Sequence, residues 1–367
     1  MLTRATIDRL ATELGFTAVR VAPMVRPTPG IDVYDAWIAA GHHGEMGYLA
    51  RGRDPRADVA ERLPEARSAV VLAWDHAVSP PPDPGGLTGR VARYAWGRDY
   101  HNLVGKRLRS LKKTLSREHG VGSWGGVDAA PILERSWARL AGLGFLGKNT
   151  LAIVPSRGSW FFLAVLFLDC ELPPDPPLPR PDFCGRCTRC LDRCPTDAFP
   201  APFSLDATRC IAYWTIEARD LPPRPLRAGF GRWFFGCDLC QEVCPHNHAA
   251  APEPHPDLLP RNAFIDLPEL LATPDEAVLD RFEARVGQGP HNDKPGDDAP
   301  TAYGAVQDEL GQDLAREEYG GGVYDEVAVT GACGTPLYRP GNIDEPAAAE
   351  ENEAPEEGQA PGGYRIE

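Results

Sequence analysis

Apolar side chains recur along the first half of the chain at two different spacings. "TIDRLATEL" (residues 6–14) repeats them every three to four positions and predicts a helix, whereas "FTAVRVAP" (16–23) predicts a strand. "IDVYDAWIAAG" (31–41) predicts a helix stopped by glycine, and "SAVVLAW" (68–74) a buried strand. A Pro/Gly loop, "SPPPDPGG" (79–86), then precedes "GRVARYAWGRDYH" and a long amphipathic helix, "NLVGKRLRSLKKTLSREHG" (102–120). Next come the strand-like "VGSWGGVDAAP" (121–131), a helix "ILERSWARLAG" (132–142), and strands "TLAIVP" (150–155) and "SWFFLAVLFLDC" (159–170). The proline-rich "ELPPDPPLPRPDF" (171–183) marks a boundary, and a cysteine-rich region follows. Residues 258–285 read as further helix, and beyond residue 286 Gly, Pro, Asp and Glu predominate, a composition that predicts disorder.

The longest apolar run, "WFFLAVLFL" (160–168), is too short to span a bilayer. The opening segment alternates charged and apolar residues, unlike a secretory signal. Both features predict a cytoplasmic protein with no membrane partner.

Charge changes the picture through its distribution. The 367 residues carry 52 acidic and 38 basic side chains, for a net charge of −14. From residue 284 onward there are 18 acidic and 5 basic residues, so the rest of the chain is nearly neutral. A neutral body can still present a basic face to RNA, whereas the tail should repel phosphate.

"GLGFLGKN" (142–149) satisfies both G-x-G-x-x-G and the start of a phosphate-binding loop. Such loops run from strand to helix, so that free amides at the helix N-terminus face the anion. Here the predicted order is reversed, and Asn149 replaces the Ser/Thr that should follow the lysine. The stretch therefore reads as a helix C-cap and tight turn.

Ten cysteines in a chain expected in the cytoplasm point to metal or redox chemistry. Cys184, Cys187, Cys190 and Cys194 form the C-x2-C-x2-C-x3-C-P run of bacterial ferredoxins, in which the fourth thiolate reaches into a second cluster. Cys237, Cys240 and Cys244 form a similar run one residue short, and Cys210 supplies the missing thiol. Two 4Fe–4S clusters then take Cys184, Cys187, Cys190 and Cys244, and Cys194, Cys210, Cys237 and Cys240. Structural zinc would favour paired C-x2-C knuckles without the triple run. Cys170 reads as a small buried hydrophobe, Cys333 carries no assignment, and His246 and His248 fit roles outside the ligand set.

Clusters pass single electrons and need a pocket to deliver them to. Asp128 follows a strand-like segment and precedes a helix, so it is either a helix N-cap or, if partly buried beside a cofactor, a proton donor.

"GRVARYAWGRDYH", "VDAAPILER", "GLGFLGKNTL", "CGRCTRCLDRCPTDA", "RCIAYWTIE" and "GCDLCQEVCPHN" together resemble the epoxyqueuosine reductase family, in order and spacing, over the chain up to about residue 283. That resemblance implies an enzyme that reduces epoxyqueuosine at the tRNA wobble position to queuosine, the last step of queuosine biosynthesis. It implies electrons relayed through two 4Fe–4S clusters to cob(II)alamin, an external low-potential donor, and a monomer. The implied fold is α+β: an N-terminal mixed α/β cobalamin-binding catalytic domain (1–172) and a ferredoxin-like domain (173–250). A helical segment (251–285) and a divergent, partly disordered acidic region (286–367) complete it.

By the same resemblance Asp128 matches the catalytic acid. Arg53, Trp96, Lys148, Ala152, Leu163 and Asp238 are, with Asp128, the expected corrin contacts. Two departures stand out: His246 occupies a position where the family usually has tryptophan, and the usual basic C-terminal repeat is replaced by acidic sequence, with a fragment of the family's continuation at 334–341. The rivals are a cobalamin-dependent reductive dehalogenase, which usually carries an export leader, and a two-cluster electron-transfer protein, which has no need of so large a domain before its first cysteine.

Overall fold

The computed structural model of the protein describes residues 2–128, 130–155, 157–179, 183–248 and 255–273. Its centre is a four-stranded sheet built from β1 (Ala18–Pro23), β2 (Ser68–Asp75), β4 (Ser123–Gly126) and β7 (Phe161–Leu168). The strand order is β1-β2-β7-β4 and every pair is antiparallel. Strand β2 is apolar on both faces, and its alternation decides which layer each side chain enters. Val70, Leu72 and Trp74 meet the helices Arg4–Glu13 and Tyr100–His119, while Ala69, Val71 and Ala73 meet the helix Glu134–Leu140 on the other side. Each fully buried leucine, valine or phenylalanine in these layers contributes about 1.5–3 kcal/mol of transfer free energy.

The helix Tyr100–His119 has clear start and stop signals. Asp99 accepts a hydrogen bond from the His101 amide at its N-terminus, and Gly120 ends it at φ 65°. Leu103, Val104, Leu108, Leu111 and Leu115 form its buried stripe. Fixing this helix against the sheet places Tyr100 and His101 beside the loop that leaves β4.

A second sheet ties the cysteine-bearing segment to the first hundred residues. Strand β3 (Thr88–Val91) pairs in parallel with β8 (Trp233–Phe235) and antiparallel with β9 (Phe264–Asp266). A shared apolar cluster joins Tyr34, Tyr48 and Leu49 to Ile211, Tyr213 and Leu239. The Trp37 indole donates to the Leu205 carbonyl, and the Ala207 amide to the His42 carbonyl. Among the described residues no helix is long and apolar enough to cross a membrane.

Several sequence expectations change. Residues 258–285 were expected to be helical, but Phe264–Asp266 is a strand, and only Leu267–Leu271 is α-helical among the described part of that stretch. Pairing with β3 satisfies its backbone, which local propensity does not anticipate. "TLAIVP" contributes only β6 (Ala152–Ile153), which pairs with β5 (Phe145–Leu146). Cys170 is half-buried at the edge of the core rather than fully inside it. Within "GLGFLGKN", helix precedes strand as expected, yet only Gly142 has positive φ. Gly144 and Gly147 are required by close approach instead: a Cβ would lie 2.7 Å from the Ile153 carbonyl oxygen and 2.5 Å from its Cδ1, respectively. The expected disorder beyond residue 286, and Cys333, lie outside the described residues.

Candidate active site

Strand β4 lies so close to β7 that only glycine fits at residue 125, where a Cβ would stand 2.0 Å from the Val165 carbonyl oxygen. The chain then turns sharply, and Asp128 adopts φ 63°, a left-handed conformation that aspartate tolerates better than most residues. Asp128 does not cap the next helix; Leu133 holds that position and makes no side-chain cap. The capping alternative is therefore set aside.

The Asp128 carboxylate is buried, and it accepts a short hydrogen bond from the Tyr100 hydroxyl. His101 Nε2 stands 3.5 Å from the same carboxylate, and His101 Nδ1 is 2.9 Å from Asp99 Oδ1. Burial pushes the His101 imidazole down, but the nearby carboxyl groups of Asp128 and Asp99 outweigh it and raise its pKa to about 9. At neutral pH a cationic His101 thus sits between Asp99 and Asp128. Tyr100 is fixed in turn by stacking on Phe162, with ring centroids 4.2 Å apart.

These groups border a small chamber of about 100 Å³, lined also by His76, Tyr94, Glu134, Arg135, Ala152, Leu163 and Gln241. Glu134 and Arg135 also line a far larger open cleft of about 860 Å³. The helix Ile31–Ala39, the helix carrying Glu134, and residues 203–205 border that cleft. Exposed Val33 and Phe203 stand at its walls.

The eight motif cysteines fall into two neighbourhoods. Cys190 feels the charges of Cys184 and Cys244, and Cys244 that of Cys187; Cys237 feels Cys240 and Cys210, and Cys240 feels Cys210 and Cys194. Cys240 also feels Cys190, so the two groups adjoin. Among the described residues no three His, Cys, Asp or Glu side chains converge on a single-ion site. The C-x2-C-x2-C-x3-C-P run suits cubanes better than a zinc knuckle.

Lys148 and Asn149, at the end of "GLGFLGKN", strap the chamber wall to both groups. Lys148 Nζ donates to the Gly185 and Cys187 carbonyls at 2.7 and 3.0 Å, and the Asn149 amide to the Cys240 carbonyl at 3.3 Å. Ser159 and Gln241, which both line the chamber, are hydrogen-bonded at 2.9 Å. The chamber wall therefore includes the residue next to Cys240.

The expected corrin contacts separate in space. Asp128, Ala152 and Leu163 meet at the chamber, and Lys148 lies against the first cysteine loop. Asp238 is buried outside the chamber lining, where it accepts from the Arg93 amide at 2.6 Å. Trp96 is buried too, with its indole donating to the Val91 carbonyl. Arg53 lies outside both cavities and pairs with Asp35 at 2.7 Å on the surface. His246 packs edge-on against Phe145, which itself packs with Cys244. Tyr100, His101 and Glu134 had no role assigned from sequence, although they belong to the "GRDYH" and "VDAAPILER" stretches that carried the resemblance.

Two family profiles match this chain: "Epoxyqueuosine reductase QueG, DUF1730" over residues 56–129 and "4Fe-4S double cluster binding domain" over residues 183–247. An epoxyqueuosine reductase from Synechococcus sp. (strain CC9605) is 40% identical over 285 residues, covering 75% of this chain and 86% of the relative. The chain belongs to the epoxyqueuosine reductase family. Its cysteine region is accordingly a double 4Fe–4S cluster-binding domain, and its mixed α/β fold is that of solved members. One, an epoxyqueuosine reductase with a tRNA-Tyr epoxyqueuosine-modified tRNA stem loop, has a TM-score of 0.68 and 29% identity, covering 77% of this chain and 75% of that one. Another, from Bacillus subtilis with its catalytic aspartate loop swung out of the active site, has a TM-score of 0.69, 28% identity and the same coverage.

Proposed function

We propose that this chain reduces the epoxide of epoxyqueuosine carried in tRNA to the alkene of queuosine. The balance is one epoxide, two electrons and two protons giving one alkene and one water. The supporting observation is geometric. A buried carboxylate, Asp128, shares a chamber with Gln241, the residue after Cys240, so a proton source and an electron exit flank one space.

The Cys184/Cys187/Cys190/Cys244 and Cys194/Cys210/Cys237/Cys240 groups would each hold a 4Fe–4S cluster, which would supply electrons from an external low-potential donor. Cobalamin fits the space that remains. Glu134 and Arg135 line both the chamber and an apolar cleft, and among the described residues buried Tyr94 Oη and Glu134 Oε1 have no hydrogen-bond partner. Asp128, Ala152 and Leu163 would border the ring, with Lys148, Trp96 and Asp238 positioning the walls rather than touching it. When bound, the corrin supplies the strongly reducing centre that opens the C–O bond.

The protein's own groups do the rest. Asp128 holds a proton at the epoxide oxygen, since an alkoxide could not leave into so poorly solvated a space. Tyr100 and His101 fix the carboxyl's direction, and Phe162 and Leu163 exclude water. The resemblance-based division into a catalytic domain (1–172), a ferredoxin-like domain (173–250) and C-terminal segments (251–285 and 286–367) is kept as part of this reading. So are a monomeric state and a cytoplasmic location, where tRNA is available. The test is anaerobic incubation of cluster- and cobalamin-loaded protein with epoxyqueuosine-tRNA and a reductant, followed by nucleoside mass analysis. Conversion to queuosine is expected, and an unchanged epoxide would defeat the reading.

A further inference from the structure

This inference rests on the proposed reduction and concerns its second proton. One proton is needed as the C–O bond opens and another to release the oxygen as water. Asp128 carries only one at a time, and it lines the small chamber but not the larger cleft. Its neighbour His101 lines neither cavity, being held between Asp99 and Asp128. His76 lines the chamber, but burial and then Arg93 push its pKa down to about 3, so it stays neutral.

Among the described residues only Glu134 and Arg135 line both the chamber and the open cleft. An arginine does not give up its proton in a protein. Glu134 is 8% exposed, begins the helix Glu134–Leu140, and has no hydrogen-bond partner for Oε1 among the described residues. The charged groups facing it are Asp128, which favours its protonated form, and Arg56 and Arg135, which oppose it. Burial dominates and, with Asp128, raises its pKa to about 8.

We propose that Glu134 is the proton relay that recharges Asp128 from the open cleft between the two protonations. An O–H bond on Glu134 breaks as one forms on the Asp128 carboxylate, directly or through water in the chamber. Asp128 then delivers that proton to the oxygen, and Glu134 regains one from water in the cleft. The two electrons come through the clusters, so the overall balance is unchanged. Glu134 acts through Asp128 and need not touch the substrate.

The test uses loaded Glu134→Gln and Glu134→Asp proteins, kept anaerobic. Infrared difference spectra of the native protein should show a protonated carboxyl at pH 7 that titrates near pH 8 and vanishes in Glu134→Gln. Turnover in Glu134→Gln should fall at least tenfold and lose the alkaline limb of its pH profile, with iron content and cobalamin binding intact; Glu134→Asp should restore part of both. A native enzyme that turns over while Glu134→Gln matches its rate and pH profile would overturn the relay alone, as would an ionised Glu134 at pH 7. A native enzyme that leaves the epoxide intact defeats the proposed function and the relay with it.

Discussion

Replacing Asp128 by asparagine separates the chemistry of this residue from its architecture. At φ 63° an alanine would meet a backbone cost of roughly 1–2 kcal/mol. It would also leave the Tyr100 hydroxyl and His101 without their carboxylate, at roughly 1–3 kcal/mol for each buried group. Asp128→Ala is therefore expected to lose turnover for mixed reasons. Asparagine tolerates the left-handed conformation and keeps an oxygen for Tyr100, so the fold should hold. What it cannot do is release a proton to the leaving oxygen. A positioned general acid contributes about 10²–10⁴ in rate, or about 3–5 kcal/mol of barrier. Single-turnover reduction of epoxyqueuosine-tRNA, followed anaerobically with the native protein alongside, should slow by that factor in Asp128→Asn. Iron content and the cobalamin spectrum should stay native. A rate within about threefold of native would refute Asp128 as the proton donor, whatever its burial.

Two further outcomes follow from the same geometry. Cys210→Ala should lose the cluster it shares with Cys194, Cys237 and Cys240, halving the iron and leaving one electron-paramagnetic signal; a full complement of iron would contradict the ligand sets. Stability should decline at alkaline pH, because His101 is raised from 6.5 to about 9 in the folded protein. Its contribution, roughly 3 kcal/mol, is complete below pH 6.5 and is lost as pH rises through about 9. Glu134, raised to about 8, acts with the same sign. Thermal midpoints of the loaded protein should fall over this window, and less steeply in Asp128→Asn; a flat or rising native profile would contradict the buried cation.

Much of this arrangement was legible in the chain itself. The continuous apolar run "SAVVLAW" and the leucine stripe of residues 102–120 marked β2 and the long helix, because each pattern is local. Cysteine spacing carried the two clusters for a different reason: ligand geometry demands it. Strand Phe264–Asp266 was missed because what supports it, pairing with β3 and packing in a shared apolar cluster, lies far back in the chain. Glu134 was missed because a single carboxylate on an amphipathic helix gives no sign that it opens between two cavities. Arg53, expected as a contact from its "RGRDPR" setting, pairs with Asp35 on the surface. The role of "GLGFLGKN" emerged only in three dimensions. Its two closing residues bind carbonyls in both cysteine loops, so it braces the chamber wall against them.

The most direct measurement is a spectrophotometric titration of anaerobic, cluster-loaded protein with cobalamin, repeated on a variant whose chamber is filled by Ala152→Trp. The account predicts saturable binding at one corrin per chain with a changed cobalamin spectrum, weakened at least tenfold in the filled variant with its iron intact. A native protein with full iron that leaves the cobalamin spectrum unchanged would contradict it.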